Sequence, residues 1–70
     1  MIETPMNSSA LLGFRYDPDH QLLWIRFPSG NIYVYHSVPA ETVEALVAAP
    51  SHGQYFNSAI RGCFKFHRLS

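Results

Sequence analysis

The most strongly patterned segment of the chain is QLLWIRFPSGNIYVYHS, residues 21–37. Two runs rich in aliphatic, aromatic and β-branched residues, 21–27 and 32–37, flank the turn-forming sequence PSGN at 28–31. Runs of this kind are typical of β-strands, and proline and glycine between them indicate a tight hairpin. A third such run, residues 11–16, precedes them across the sequence DPDH. The sequence therefore predicts three antiparallel strands joined by two hairpins.

The turns also predict how the strands pair. If residues 28–31 form the second loop, Trp24 lies opposite Tyr35, and the first hairpin then pairs Phe14 with Leu23. Side chains two residues apart on a strand share a face of the sheet, so these pairings predict a core face and an aromatic face. The predicted core face carries Leu12, Phe14, Tyr16, Leu23, Ile25, Phe27, Ile32 and Val34. The predicted aromatic face carries Leu11, Gly13, Arg15, Leu22, Trp24, Arg26, Tyr33 and Tyr35.

The sequence after the third strand predicts a helix over residues 40–49. Pro39 suits the first turn of a helix, where a missing N–H costs no helical hydrogen bond. Val43, Leu46 and Val47 follow at spacings of three and four, which places them on one apolar stripe against the core face.

A second helix and a fourth strand are predicted to complete the chain. Ser51 and Gln54 have the spacing of a capping box, so a short helix is expected to begin there and run to about Arg61, with Gly62 as its stop. Residues 63–69 alternate between apolar and polar side chains and are predicted to form a strand. The order is therefore β-β-β-α-α-β, an α+β fold with a three-stranded antiparallel meander, two short helices and a C-terminal strand.

Length and composition predict one small domain. We expect a flexible tail over residues 1–9 and a single α+β domain over residues 10–70, since 70 residues cannot divide a core. The formal net charge is zero, but residues 45–70 contain Arg61, Lys65 and Arg68 and no acidic residue. A lone cysteine excludes an internal disulfide, and no run approaches the length of a membrane helix. The expected location is the cytoplasm.

Several short motifs together resemble the KTSC domain family, which takes its name from the carboxyl terminus of some lysyl-tRNA synthetases. The motifs are Tyr16-Asp17-Pro18, Ser29-Gly30, Tyr33-Val34-Tyr35, Val38-Pro39, Ser51-x-Gly53-x-Tyr55-Phe56-Asn57, Ile60-Arg61 and Phe64-x-Phe66. The resemblance covers about residues 8–69 and implies that the chain is a free-standing bacterial member. It implies a small α+β module for which no activity is established, and it invites RNA binding as a function.

The residues themselves favour a noncatalytic binding module. Single-stranded bases stack on aromatic rings while arginine and lysine contact phosphates, so RNA, either tRNA or ribosome-associated RNA, is the first hypothesis for a partner. The predicted RNA-binding residues are Trp24, Tyr33, Tyr35, Arg15, Arg26, Asn57, Arg61, Lys65 and Arg68. The alternative is a protein-interaction module, which docks on a larger protein or self-associates through the aromatic face.

Packing alone could explain the same patterns. Aromatic residues at regular spacing are mostly buried, and Phe56 and Ile60 would anchor a helix in the core while Ser51 caps it. An enzymatic function is not expected, because the four histidines at 20, 36, 52 and 67 show no ligand spacing within one element and Cys63 has no CxxC partner. We therefore expect no catalytic residue, no metal and no cofactor.

Overall fold

A computed structural model describes residues 4–5 and 10–69 of the chain. One antiparallel sheet has the strand order β1-β2-β3-β4-β5. The strands are β1 Thr4–Pro5, β2 Gly13–Asp17, β3 Leu22–Arg26, β4 Ile32–Tyr35 and β5 Phe66–Arg68. The helices are α1 Ala40–Ala48 and α2 His52–Tyr55, the latter continuing into a π-helical turn at Phe56–Ile60. The helices connect β4 to β5 across one face of the sheet, and no described helix is long and apolar enough to cross a membrane.

The predicted order β-β-β-α-α-β is confirmed for the elements from β2 to β5. One strand was not predicted: Thr4–Pro5 pairs with Gly13 and Phe14 and forms the edge of the sheet beside β2. These two residues fall within the predicted tail, and the remaining tail residues, 1–3 and 6–9, lie outside the described residues.

The first hairpin differs from the predicted register by two residues. Asp17 lies opposite Leu22, so the loop is residues 18–21, and Trp24 lies opposite Arg15 instead of Gly13. Gln21 has a positive φ of 54°, which closes this loop. A shift of two residues leaves the side chains of the paired residues 13–17 and 22–26 on their predicted faces, because the period of a strand is two.

The second hairpin differs by one residue, and this overturns the predicted faces of β4. Its loop has three residues: the Gly30 N–H donates to the Phe27 carbonyl at 2.9 Å, and Phe27 N–H donates to the Asn31 carbonyl at 3.0 Å. Gly30 has φ +94°, as in a turn followed by a left-handed residue that forms a bulge. Phe27 therefore faces Asn31 instead of Ile32, which turns every side chain of β4 over.

As a result, the predicted shared face of Trp24 with the two tyrosines is wrong. Tyr33 lies opposite Ile25 and Tyr35 lies opposite Leu23, so both tyrosines are on the side of the sheet that the helices cover. Trp24 lies opposite Val34 on the other side. Ile32, predicted for the core face, moves to the helix-free side with Val34.

Both predicted helix starts are confirmed, with small differences. Pro39 is the N-cap of α1, and the Ser51 hydroxyl accepts a hydrogen bond from the Gln54 N–H at 3.3 Å, as expected for a cap. Val43 and Leu46 are buried, but Val47, predicted for the same stripe, is 50% exposed. Gly62 has φ +80° just after the π-helical turn, in agreement with its predicted role as a stop.

The core lies between the helices and one face of the sheet. Its buried residues are Leu11, Leu23, Ile25, Tyr35, Val38, Val43, Leu46, Phe56 and Ile60. Phe56 and Ile60 therefore anchor the second helix, as predicted. Leu11 is 1% exposed and Leu12 is 44% exposed, the reverse of the predicted faces, because regular pairing of β2 with β3 begins only at Gly13. Tyr16 ties the sheet to the start of α1 by donating its hydroxyl to the Val38 carbonyl at 2.6 Å.

Candidate nucleic-acid interface

The structure divides the predicted RNA-binding residues between the two faces of the sheet. Tyr33, Tyr35, Asn57, Arg61 and Arg68 belong to the helix-covered side, Arg68 because it pairs with Tyr33. Arg15, Trp24, Arg26 and Lys65 belong to the helix-free side. The predicted single aromatic and basic surface does not exist, and each half is a separate candidate.

On the helix-covered side, an aromatic groove lies between the second helix with its π-helical turn, the β3–β4 loop and strands β4 and β5. It has a volume of about 570 Å³. The lining is Ala10, Leu11, Phe27, Ser29, Asn31, Tyr33, Tyr35, Gly53, Phe56, Asn57, Arg61, Gly62 and Phe66. A mostly apolar cavity of this size with a few polar groups has the usual form of a ligand site.

The rings of the groove form one continuous network. Phe27 contacts Tyr33 and Phe56 edge to face, with centroids 5.3 and 5.5 Å apart. Phe66 lies stacked against Tyr33, with centroids 5.5 Å apart and planes at 25°, and close to Tyr35 at 5.3 Å. Phe66 is nevertheless 51% exposed, since it lies on the edge strand β5. Phe66 and the half-buried Tyr33 therefore form an aromatic surface that the domain covers only in part.

In the described part of the chain, the polar groups that line the groove are one positively charged side chain and several neutral ones. Arg61 is the charged residue among the described lining residues, and it is accompanied by the amides of Asn31 and Asn57 and the hydroxyl of Ser29. Within the described chain, neither the Asn57 amide nor the Arg61 guanidinium forms a side-chain hydrogen bond or ion pair. Both groups are exposed and available to a ligand.

Tyr35 is the buried polar group at the base of the groove, with only 2% of its surface exposed. Burial raises the pKa of its phenol above the ordinary value, the nearby Tyr33 adds to this rise, and the positive charge of Arg61 opposes it. The phenol therefore stays protonated and neutral over the physiological range.

The π-helical turn positions the polar rim. The Arg61 N–H donates to the Phe56 carbonyl at 2.8 Å, a bond that spans five residues instead of four. This wider turn keeps Phe56 and Ile60 in the core while Asn57 and Arg61 remain on the surface. Single π-turns of this kind occur frequently at functional sites.

The wall formed by α2 lies unusually close to the chain before β2. A Cβ placed on Gly53 would be 2.6 Å from the Cβ of Ala10, a separation that real side chains do not adopt. Gly53 is therefore required for the close approach of α2 to the segment that lines the other end of the groove.

The helix-free face has no comparable groove among the described residues, because its own side chains cover it. The guanidinium of Arg15 lies over the Trp24 indole, 5.7 Å from the ring centroid. Val34 has Trp24 and His67 as its two cross-strand neighbours, and it is only 3% exposed although no helix lies above it. One face of the Trp24 ring is therefore already occupied.

Sequence reasoning missed two important lining residues, Phe27 and Phe66. Phe27 was predicted to lie on the core face, and Phe66 was named in a family motif but not as a binding residue. The signal that could have found them is the chain order: if β5 pairs with β4, then an aromatic residue of β5 must lie beside one of the two tyrosines.

Comparison with known proteins identifies the family. The chain matches the family model of the KTSC domain over residues 7–64. It is 32% identical to a KTSC domain protein from Yersinia pestis, whose crystal structure superposes with a TM-score of 0.95 and covers 99% of this chain and 97% of the other.

The chain belongs to the KTSC domain family.

Two relatives place this KTSC domain in different settings. A lysine–tRNA ligase from Nostoc sp. is 47% identical over 62 residues, which are 89% of this chain and 11% of the ligase. The chain thus spans about a tenth of the length of that relative. An uncharacterized protein from Stutzerimonas stutzeri is 41% identical over 61 residues, which cover 87% of this chain and 86% of that protein. The KTSC domain therefore occurs both as a small protein and as a part of a tRNA ligase.

Eight of the nineteen residues named in the family motifs line the groove. Ser29, Tyr33, Tyr35, Gly53, Phe56, Asn57, Arg61 and Phe66 belong to motifs that are separate in sequence, and all of them line it. Trp24 and Arg15, on the opposite face, belong to none of those motifs. The groove is thus the better candidate for the functional site of the domain.

Proposed function

We propose that this KTSC domain is a noncatalytic module that binds single-stranded RNA through the aromatic groove. The observation that carries the proposal is the combination of an aromatic pair, the half-buried Tyr33 and the exposed Phe66, with the unpaired guanidinium of Arg61 in one cavity. An unpaired base stacks on aromatic rings, and a guanidinium contacts the adjoining phosphate.

The expected stacking free energies are sufficient for moderate RNA affinity. Stacking of one base on an aromatic side chain is worth ~1 to 3 kcal/mol, so two bases on Tyr33 and Phe66 would give a moderate affinity before any phosphate contact. Arg68 of β5 lies opposite Tyr33 of β4 and extends the positive charge along the same side of the sheet. The amides of Asn31 and Asn57 offer both donors and acceptors to the edge of a base.

The relatives support an RNA partner, since several of them are ligases named for their tRNA substrate. The groove chemistry supports binding instead of catalysis: its described lining residues include no histidine, cysteine or carboxylate that could act as nucleophile, general acid or general base. A tRNA or ribosome-associated partner would also agree with a location in the cytoplasm.

A second candidate function, docking on a protein, is favoured by the exposed edge of the sheet. All three residues of β5 are exposed, and β5 is the edge strand beside the groove. An extended peptide could add to this edge by main-chain hydrogen bonds and place alternate side chains in the groove. The two functions differ in their dependence on salt, because only RNA binding releases counterions from phosphates.

The experiment is an NMR titration of the labelled domain with a mixed single-stranded RNA at two salt concentrations. We expect amide shifts at Tyr33, Asn57 and residues 61–68, and a log–log salt slope of about 1.4 if Arg61 and Arg68 each contact a phosphate. Shifts that cluster on the Trp24 indole, or an affinity that salt does not weaken, would contradict binding in the groove.

Two matched charge reversals separate the faces. Arg61→Glu should weaken RNA binding at least tenfold, because it converts an attraction to phosphate into a repulsion. Arg15→Glu changes the net charge equally on the opposite face and should weaken binding only about twofold through the general field. Equal losses in both variants would mean that bulk charge, and not the groove, controls the interaction.

A further inference from the structure

Two histidines meet on the helix-free face, at the junction of β4 and β5. The Nε2 atom of His36 and the Nδ1 atom of His67 are 2.9 Å apart. The two ring centroids are 5.0 Å apart and the ring planes are tilted by 38°. His36 is half-buried and His67 is exposed, so solvent and small ions can reach the pair.

The backbone holds the two histidines in this position. The His36 N–H donates to the Lys65 carbonyl at 2.8 Å, and His67 lies directly opposite Val34. His36 follows Val34 by two residues, so the two imidazoles are diagonal neighbours on one face of adjacent strands. The pair is therefore built into the β4–β5 ladder, although the residues are 31 positions apart in sequence.

We propose that His36 and His67 form a two-histidine binding site for a divalent transition metal of tetragonal preference, Cu²⁺ or Ni²⁺. Imidazole nitrogens bind such ions at ~2.0 to 2.1 Å, and two ligands in adjacent positions about 90° apart are then ~2.9 Å from each other. Tetrahedral ligands at the same bond length would be ~3.4 Å apart. The observed separation of 2.9 Å, that of a hydrogen bond between the rings, is also close to the spacing of adjacent tetragonal ligands, so a rotation of the two rings would direct both lone pairs at one ion.

Both histidines can bind a metal ion in their neutral form. In the metal-free pair, one ring nitrogen donates its hydrogen to the other. Metal binding needs both facing nitrogens as lone-pair donors, so the donor ring moves its proton to its other nitrogen and both imidazoles stay neutral. No oxidation or proton release is needed for the neutral pair to bind.

The surroundings set the strength of the site. Among the described residues, no group of three histidines, cysteines or carboxylates is arranged to hold a metal ion, so water would fill the remaining positions. Lys65 precedes β5 on the same face and Arg15 lies two strands away, and both disfavour a cation electrostatically. Asp17, a carboxylate of the same face, is engaged with His20. The site is therefore an open one of moderate affinity.

Metal binding would also act on the sheet. A metal held by one residue at the end of β4 and one residue of β5 cross-links the two strands. Because β5 reaches β4 only through a long helical connection, this link would stabilise the strand that carries Phe66.

The test is calorimetric titration of the tag-free protein with Ni²⁺ and with Cu²⁺ at pH 7.5. His36→Gln and His67→Gln should each weaken binding at least tenfold, whereas the control variants His20→Gln and His52→Gln should change it less than twofold. His20 and His52 are bonded elsewhere, to Asp17 and to the Val47 carbonyl, and serve as matched surface histidines. Equal losses in all four variants, or unchanged binding in His67→Gln, would overturn the proposal.

A second measurement on the unmutated protein does not depend on how the variants fold. The electron paramagnetic resonance spectrum of bound Cu²⁺ should show hyperfine splitting from two imidazole nitrogens, and the melting temperature should rise with added Cu²⁺. A spectrum with one or no nitrogen ligand would refute the two-histidine site. The groove uses side chains of the other face, so failure of the metal site would not contradict the proposed RNA binding, nor the reverse.

Discussion

Both faces of the sheet bury apolar side chains, but different groups cover them. On one face, α1 and α2 cover Leu23, Ile25 and Tyr35 and create a core. On the other face, Val34 becomes as buried as a core residue, 3% exposed, with only Trp24 and His67 as cross-strand neighbours and no helix above it. The aromatic groove lies beside the helices on the first face, whereas side chains such as Arg15 and Trp24 cover the described part of the second face. The difference places the candidate ligand site on the face that is more heavily covered.

The largest expected effect is on the helix-covered face. Leu46→Ala removes a fully buried side chain of α1 and should lower the free energy of unfolding by ~2 to 5 kcal/mol. Val34→Ala, the matched change on the other face, removes two methyl groups beneath a single layer of side chains and should cost ~1 to 2 kcal/mol. Urea unfolding of both variants measures the difference.

Equal costs for the two variants would contradict this comparison. They would mean that Trp24 and His67 cover Val34 as rigidly as the helices cover Leu46. A loss smaller than 1 kcal/mol for Leu46→Ala would contradict the assignment of the main core to the helix-covered face.

A smaller effect tests how tightly α2 closes the groove. Gly53→Ala places a Cβ 2.6 Å from that of Ala10, so the helix must move away, and we expect a loss of ~1 to 3 kcal/mol although alanine favours helices. The double variant with Ala10→Gly removes the opposing Cβ and should recover most of the loss. If Gly53→Ala alone is neutral or stabilising, the close approach of α2 to Ala10 does not constrain the fold.

The sequence predicted most of the elements because their signals are local. Aromatic and β-branched runs, Pro39, and the Ser51–Gln54 cap each indicate structure within a few residues, and all these elements were confirmed. Family motifs led to the same fold, which the Yersinia pestis structure matches with a TM-score of 0.95.

The faces of β4 could not be predicted in the same way, because they depend on the length of one loop. PSGN can close a four-residue loop or a three-residue loop with a bulge, and the two differ by one position of register. That one position moved Tyr33 and Tyr35 away from Trp24 and into the groove. The meeting of Tyr33 with Phe66, and of His36 with His67, depends on pairing across 30 or so residues, which no local pattern reveals.

The smallest effect we predict concerns the turn that decides this register. Gly30 adopts φ +94°, and a Cβ added there would meet nothing within 4 Å, so Gly30→Ala changes only the backbone preference. We expect it to lower the free energy of unfolding by ~1 to 2 kcal/mol, the cost of a left-handed alanine. Gly62→Ala is the matched control, with φ +80° and equally open surroundings outside the sheet, and should cost a similar amount.

The register itself should survive the Gly30 substitution. A slip to the four-residue loop would carry Tyr35 out of the core and Tyr33 off Phe66, which costs more than one strained residue. Contacts between the side chains of Trp24 and Val34 in NOE spectra of Gly30→Ala report the present register, whereas contacts between Trp24 and Tyr35 would report the slipped one. The slipped pattern would mean that the turn, and not the burial of the two tyrosines, determines which face of the domain carries the groove.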